Sequence, residues 1–495
     1  MGNKKIKALV CAALLFSLLA PSLGGCGLIV VHRDGHGPAP AGTESTSANA
    51  EVETAPDAER PDYGVTEADF GTDRSAARAA LAALPDFDLT GQDFLVAAIA
   101  DKPNTLFPEG EDRMAEPCAE RGEMVSEKYH CGFVPFSAPE EEFHKQLTAS
   151  VKAGTARVYA DLVVLPSDSA ALYMNEGLLL DLRRLPFYTA GTEDRPGRSG
   201  AAFTGRSVYF DLGAAVYDTA GIYVLYFNRT AVGAETSERL FAAALADGMD
   251  WEEFFTLTAG MPAGAVASGS AFAAPELLAE IAAVRAGFDF LSTAVPGKAP
   301  ELLLTGEDES AEALTAFLGR LASLKPVLRT DADAFFMSGG PPFYVGTLAE
   351  SAVLCSAHDA VWGVLPLPAH DPMTPNFVRT SAPVLAVPAN NNRIEETGLI
   401  LTALDTASGT WLRGECIRRI AESYLRDNTS CLVLRKIAAR EIYRDPAYLF
   451  ASVCPGLAET TSGAVRRCLT AGIPVAEAAA EFRKTAEESL AALLK

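Results

Sequence analysis

Two carboxylates seven residues apart, Asp161 and Asp168, flank the apolar run Leu162–Leu165 and are the first pair to weigh as an acid and a base. A glycosidase needs two such groups converging on one bond. Here Asp161 opens a strand, and Asp168 lies where a helix needs an N-cap acceptor, so both have simpler duties. Other reactive patterns are absent: there is no P-loop, G-x-S-x-G, HExxH or GxGxxG. The six histidines are scattered, with His130 on an expected strand, His144 on an expected helix, and neither at metal-ligand spacing. No CxxC pair suggests zinc or dithiol chemistry. Neither a metal nor a cofactor is expected, and the sequence points to binding rather than catalysis.

The elements that would position a ligand begin with that same stretch. Leu162–Leu165 has the length and β-branched character of a buried parallel strand, and Pro166 ends it. Ser167, Asp168 and Ser169 offer cap oxygens to a helix starting near Ala170, which stops at Gly177. Strands are also expected at Phe94–Ala98 and Cys131–Phe136, with helices at Glu120–Tyr129 and Glu140–Ala153. The second helix places Phe143, Leu147 and Val151 on one face. Such alternation builds a mostly parallel sheet covered on both faces, and its ligands gather at the C-terminal ends of the strands.

The passage ADLVVLPSD…ALYMNEGLLLDL (160–182) resembles the family 1 extracellular solute-binding proteins, the lipoprotein receptors of ABC importers. Further passages fall in the family's order. AVYDTAGIYVLYFN (215–228) resembles its crossing between lobes, and DADAFFMSGGPPFYVGTLAESAVLCS (331–356) its glycine-centred turn. AVWGVLPLP (360–368) resembles the strand returning to the first lobe. Residues 418–445 resemble a helical passage near the end. The resemblance covers most of residues 86–450.

It implies an α/β, two-lobed, periplasmic-binding-protein-like fold of type II, with hinge crossover strands and a helical C-terminal region. Lobe 1 would comprise 86–220 with 360–405, and lobe 2 would comprise 221–359 with 406–495. The ligand implied is a small molecule, by default a sugar or oligosaccharide, passed by a monomeric receptor to the transmembrane subunits of an ABC permease. A sugar site needs aromatic faces and planar polar groups. The family-matched candidates are Ser167, Asp168, Tyr217, Asp218, Phe343, Tyr344 and Phe377. Hinge or core packing is the competing role for Tyr217 and Phe343, and helix capping for Asp168. Trp251 is expected to pack, and Trp362 to be buried. Three departures bear on the ligand: the loop 101–120 lacks the family's Trp, Asp and Asn character, Pro341–Pro342 follows the glycine turn, and tryptophans are few. A peptide or polyamine receptor, a sensor or adhesin, and a glycan-active enzyme are the alternatives.

At 495 residues the chain can bury two cores. Its formal charge of −23 opposes nucleic-acid binding, which needs clustered cations. Lys4, Lys5 and Lys7 precede the apolar run Ala8–Ala20, and Leu23–Gly24–Gly25–Cys26 follows. This reads as a lipoprotein signal over 1–25, with lipidated Cys26 anchoring the chain to the outer face of a bacterial membrane. Loss of the three lysines would take the charge to −26. Residues 26–85, poor in aromatics, read as a lipidated, acidic, disordered tether that cannot bury enough apolar surface to repay its ordering. Of the other cysteines, Cys118–Cys131 and Cys454–Cys468 are possible local bridges.

Overall fold

The computed structural model describes residues 73–493. The stretches 109–113, 155–157, 189–208, 212–218, 247–248, 260–269, 293–300, 304–308, 357–360, 372–373 and 380–382 and the single positions 101, 103, 105, 271, 426, 441 and 445 are outside the description. Cys26, Tyr217 and Asp218 therefore lie outside the described residues.

Strands occur in chain order at Asp93–Ile99 (β1), Gly132–Ala138 (β2), Leu162–Leu165 (β3), Tyr223–Asn228 (β4), Phe272–Ala274 (β5), Leu291–Ser292 (β6) and Glu301–Leu302 (β7). They continue at Val327–Leu328 (β8), Phe343–Thr347 (β9), Trp362–Pro366 (β10), Asn376–Val378 (β11), Val384–Ala386 (β12) and Ile442–Arg444 (β13). Two larger sheets hold nine of them, and β6-β7 and β11-β13 form two-stranded pairs. The first has the order β12-β3-β1-β2, and the second β10-β4-β9-β5-β8. In the first sheet β1 runs parallel to both β2 and β3, with Val96 opposite Leu162, while β12 is antiparallel to β3. β3 is buried at all four positions, as its unbroken apolar run requires.

Local signals explain the helices around the first sheet. The helix Glu140–Ala153 opens with three glutamates, favourable at its positive end, and buries Phe143, Leu147 and Ser150. The helix Ala115–Tyr129 ends at His130, which adopts φ 55 as a left-handed C-cap. His130 is thus a helix cap and not a strand residue. The helix Ala170–Asn175 starts where expected, but its N-cap is Ser169, and no side chain caps it. Asp168 is exposed in the preceding turn.

The second sheet is mixed, with β4 antiparallel to both β9 and β10 and β5 parallel to β8 and β9. β10 therefore belongs with the second lobe, although 360–405 was expected to be entirely lobe 1. The pattern of β10 reveals a buried strand but not its neighbour: Trp362 pairs with Asn228 and Pro366 with Val224, both more than a hundred residues earlier. Lobe 1 regains the chain at β12 and keeps it through the helix Ile394–Ala407, which packs on the helices Arg74–Ala82 and Ala115–Tyr129. The stretch expected to be a disordered tether up to residue 85 thus ends in an ordered helix, Arg74–Ala82, capped by Asp73 and anchored by buried Ala77 and Leu81. The π-helical turn Ser408–Leu412 also lies against those two helices. The chain then continues into Arg413–Tyr424, which packs against second-lobe helices.

Gly398 permits the close seating of the helix Ile394–Ala407. A Cβ there would overlap the carbonyl oxygen of Pro186, which is backbone and cannot rotate away. Gly398→Ala is expected to cost about 1–3 kcal/mol, the usual range for overpacking, and to lower the midpoint of thermal unfolding.

Neither of the two possible disulfides is formed. Cys118 lies in the first turn of the helix Ala115–Tyr129 and Cys131 beyond its end. About 16 Å of helix separates them at 1.5 Å per residue, against a reach of about 7 Å for a bridge. Cys454 similarly precedes a helical run from Pro455, and Cys468 lies within its last helix, Ala464–Ala471. Burial instead pushes the Cys131 thiol up to about 11 and that of Cys454 up to about 12.

Candidate functional site

Among the described residues the chain crosses between the two sheets three times. The outgoing crossing leaves Asp211, whose backbone exchanges two hydrogen bonds with Leu385 of β12 (2.7 and 3.0 Å), and enters β4 at Ile222–Tyr223. The returning crossing runs from β10 through β11 to β12. Ile222 and Val378 pair as an antiparallel bridge, so these two crossings lie side by side. The third is the helical run through Ser408–Leu412. β11 also pairs parallel with β13, a strand within a region that read as helical.

The returning crossing is held by Arg285, which is 1% exposed. Its Nη1 donates to the carbonyls of Thr374 and Pro375 (both 2.6 Å), and Nη2 to that of Leu367 (2.7 Å). Burial pushes this guanidinium down to about 9, so it remains a cation at neutral pH. A planar fork with five donors suits three converging carbonyls better than an ammonium would.

The sequence-derived site residues separate into three places. Ser167 is buried and Asp168 exposed, both at the C-terminal end of β3 in lobe 1. Phe343 and Tyr344 lie inside the second lobe. Phe343 is fully buried with Phe254 edge-on at 5.3 Å, and Tyr344 stacks between Tyr226 (5.8 Å) and Phe336 (5.7 Å). Both are core residues in this structure, because β9 is the central strand of its sheet. Phe377 is buried at the hinge, 6.0 Å from the ring of Tyr223. Trp251 packs among Phe254, Phe255 and Phe317, and Trp362 is buried with its indole N–H on the Leu354 carbonyl.

Asp161, the other half of the conceivable catalytic pair, is buried and accepts from the Leu95 amide at 2.8 Å, with Arg393 at 3.5 Å. Desolvation raises its pKa, but its hydrogen bond places it in support of β1.

Residues that sequence reasoning missed surround the end of β11. Arg379 lies over the ring of Tyr448 at 4.6 Å and pairs with Glu280 at 3.3 Å. Together with Glu276, Ser462 and Arg466, Arg379 and Glu280 line a polar cavity of about 110 Å³. Guanidinium and carboxylate groups recognise hydroxyls, but the ring face of Tyr448 is covered by Arg379 and the space is well below the roughly 300 Å³ of a small-ligand pocket. Among the described residues no group of three or more His, Cys, Asp and Glu side chains could hold a metal ion, and no helix is long and apolar enough to cross a membrane.

No protein-family model matches the chain, and no curated protein matches its sequence. Solved structures do. The galacto-N-biose/lacto-N-biose I-binding protein of an ABC transporter from Bifidobacterium longum superposes with a TM-score of 0.50 at 13% identity, covering 82% of this chain and 98% of that one. The cyclic α-maltosyl-1,6-maltose-binding protein of Arthrobacter globiformis gives 0.49 at 14%, covering 80% and 98%. A family 1 extracellular solute-binding protein from Alicyclobacillus acidocaldarius gives 0.47 at 12%, covering 82% and 99%. The first of these establishes the fold: two α/β lobes of the periplasmic-binding-protein kind.

Proposed function

We propose that this protein is a solute receptor that captures a sugar or oligosaccharide between its lobes and yields it to the transmembrane subunits of an ABC importer. The observation that carries the proposal is the hinge: two sheets joined by two paired crossings, at Ile222 and Val378, and a helical third. Such a connection suits rigid-body closure around a ligand. The likeness to a disaccharide-binding protein of an ABC transporter supports the ligand class by analogy.

In this reading the chain catalyses nothing, and works as a monomer tethered to the outer face of the membrane through a lipidated Cys26. Candidate ligand contacts beside the returning crossing are Arg379 and Glu280, and on the lobe 1 side Ser167 and Asp168.

A thermal-shift screen against mono- and oligosaccharides, amino acids, peptides and polyamines tests it. Ligand at a hundred times its dissociation constant adds about 2.7 kcal/mol, which moves the midpoint by roughly a few degrees. One sugar class should give a saturable shift and be recovered unchanged, and Arg379→Met should weaken it. A shift with peptides or polyamines alone removes the sugar assignment. Turnover of a glycan removes the receptor reading, and silence across the panel favours a sensor or adhesin.

A further inference from the structure

The turn that follows β9 grips the outgoing crossing. Leu348 donates its amide to the Ile222 carbonyl and Ala349 to that of Ala220, both at 2.9 Å. These bonds extend the β4–β9 ladder, in which Tyr223 faces Thr347, to the point where the chain enters lobe 2. The turn, Leu348–Glu350, is built by a capping box between Thr347 and Glu350. The Glu350 carboxylate accepts from the Thr347 amide at 3.0 Å and from the Tyr344 hydroxyl.

Glu350 is half-buried, and its carboxylate packs against β9 so closely that a Cβ on Gly346 would overlap its Oε2. The groups facing it are Tyr344 and Thr347 on β9 and Asp333 on the helix Ala332–Met337. Tyr226 of β4 interacts electrostatically with Tyr344 and hydrogen-bonds Ser351 beside Glu350. None of these is a cation, and Asp333 repels a charge on Glu350.

We infer that Glu350 is a proton-sensitive latch on the hinge, whose neutral form holds the turn against the outgoing crossing and whose ionised form loosens it. The direction follows from linkage. Burial first, with Asp333 adding to it, raises the Glu350 carboxyl from 4.5 to about 7. The latched turn thus binds more protons than an opened, solvated one between those values. Latching is therefore strongest below the solvated value, weakens as pH rises toward about 7, and is level above it. Tyr226 and Tyr344 are both raised and stay protonated throughout this window.

Hydrogen exchange of the Leu348 and Ala349 amides in the whole protein, corrected for intrinsic exchange, reads the latch without any ligand. Protection is expected to fall at least tenfold between pH 5 and pH 8, and Glu350→Gln should flatten that profile. Tyr344→Phe keeps the carboxyl but removes a donor that favours its ionised form, so its midpoint should move to higher pH. The inference is overturned if wild-type protection is equal at the two pH values. It is equally overturned if the fall persists in Glu350→Gln, or if Glu350→Gln does not fold and Tyr344→Phe leaves the midpoint unmoved.

Discussion

Arg285→Met lowers the free energy of unfolding by about 3–5 kcal/mol, because three carbonyls, two of them buried, lose a charged donor at once. The methionine can fill the space of the aliphatic stem but offers nothing to Leu367, Thr374 or Pro375. Arg285→Lys should fall between the two, since an ammonium keeps the charge without the fork that spans those carbonyls. Urea unfolding of the three proteins checks this. A cost below about 1 kcal/mol for the methionine variant would mean the returning crossing is held by something else.

Trp411→Ala is expected to cost about 3–5 kcal/mol, as for other large-to-small changes of buried aromatics. Trp411 is 1% exposed within the π-helical turn of the third crossing, with the Arg74 guanidinium 5.8 Å from its ring centre. The same turn carries Ser408, whose hydroxyl accepts from the buried Arg121 at 3.0 Å. Arg121 also donates to the Leu106 carbonyl, so this turn is fastened to the first lobe. Losing the indole should loosen that attachment as well as open a cavity. Exchange protection should then fall on both sides of Ser408–Leu412, beyond the global destabilisation read by urea. A loss confined to the global term would show that Trp411 fills space only.

How much of this was readable in the chain depends on the range of each signal. Leu162–Leu165 and Glu140–Ala153 emerge with the bounds expected of them, since a β-branched run closed by Pro166 and an i, i+4 apolar face are local features. The mostly parallel first sheet followed from the strand–helix alternation. Sheet membership did not, because Trp362–Pro366 reads as a buried strand whichever lobe receives it. The strand Ile442–Arg444 was hidden in a helical stretch, since its pairing with β11 is supplied from outside the segment. Tyr344 and Phe343 read as cleft aromatics from a motif position, whereas their place on a central strand makes them core. Arg285 was unremarkable in the sequence because the carbonyls it holds lie 82 to 90 residues away. Glu350 gave no sign either, as its packing and the lack of a cation beside it among the described residues are properties of the assembled turn.

We propose that the lobes close on a solute which leaves unchanged. Small-angle X-ray scattering of the protein, with and without the saturating ligand found by thermal shift, tests it most directly when the ligand is analysed afterwards. A smaller radius of gyration on binding, reversed on removal of the ligand, with the sugar recovered intact, is the result this account predicts. Saturable binding with no contraction, or conversion of the sugar to product, would contradict it.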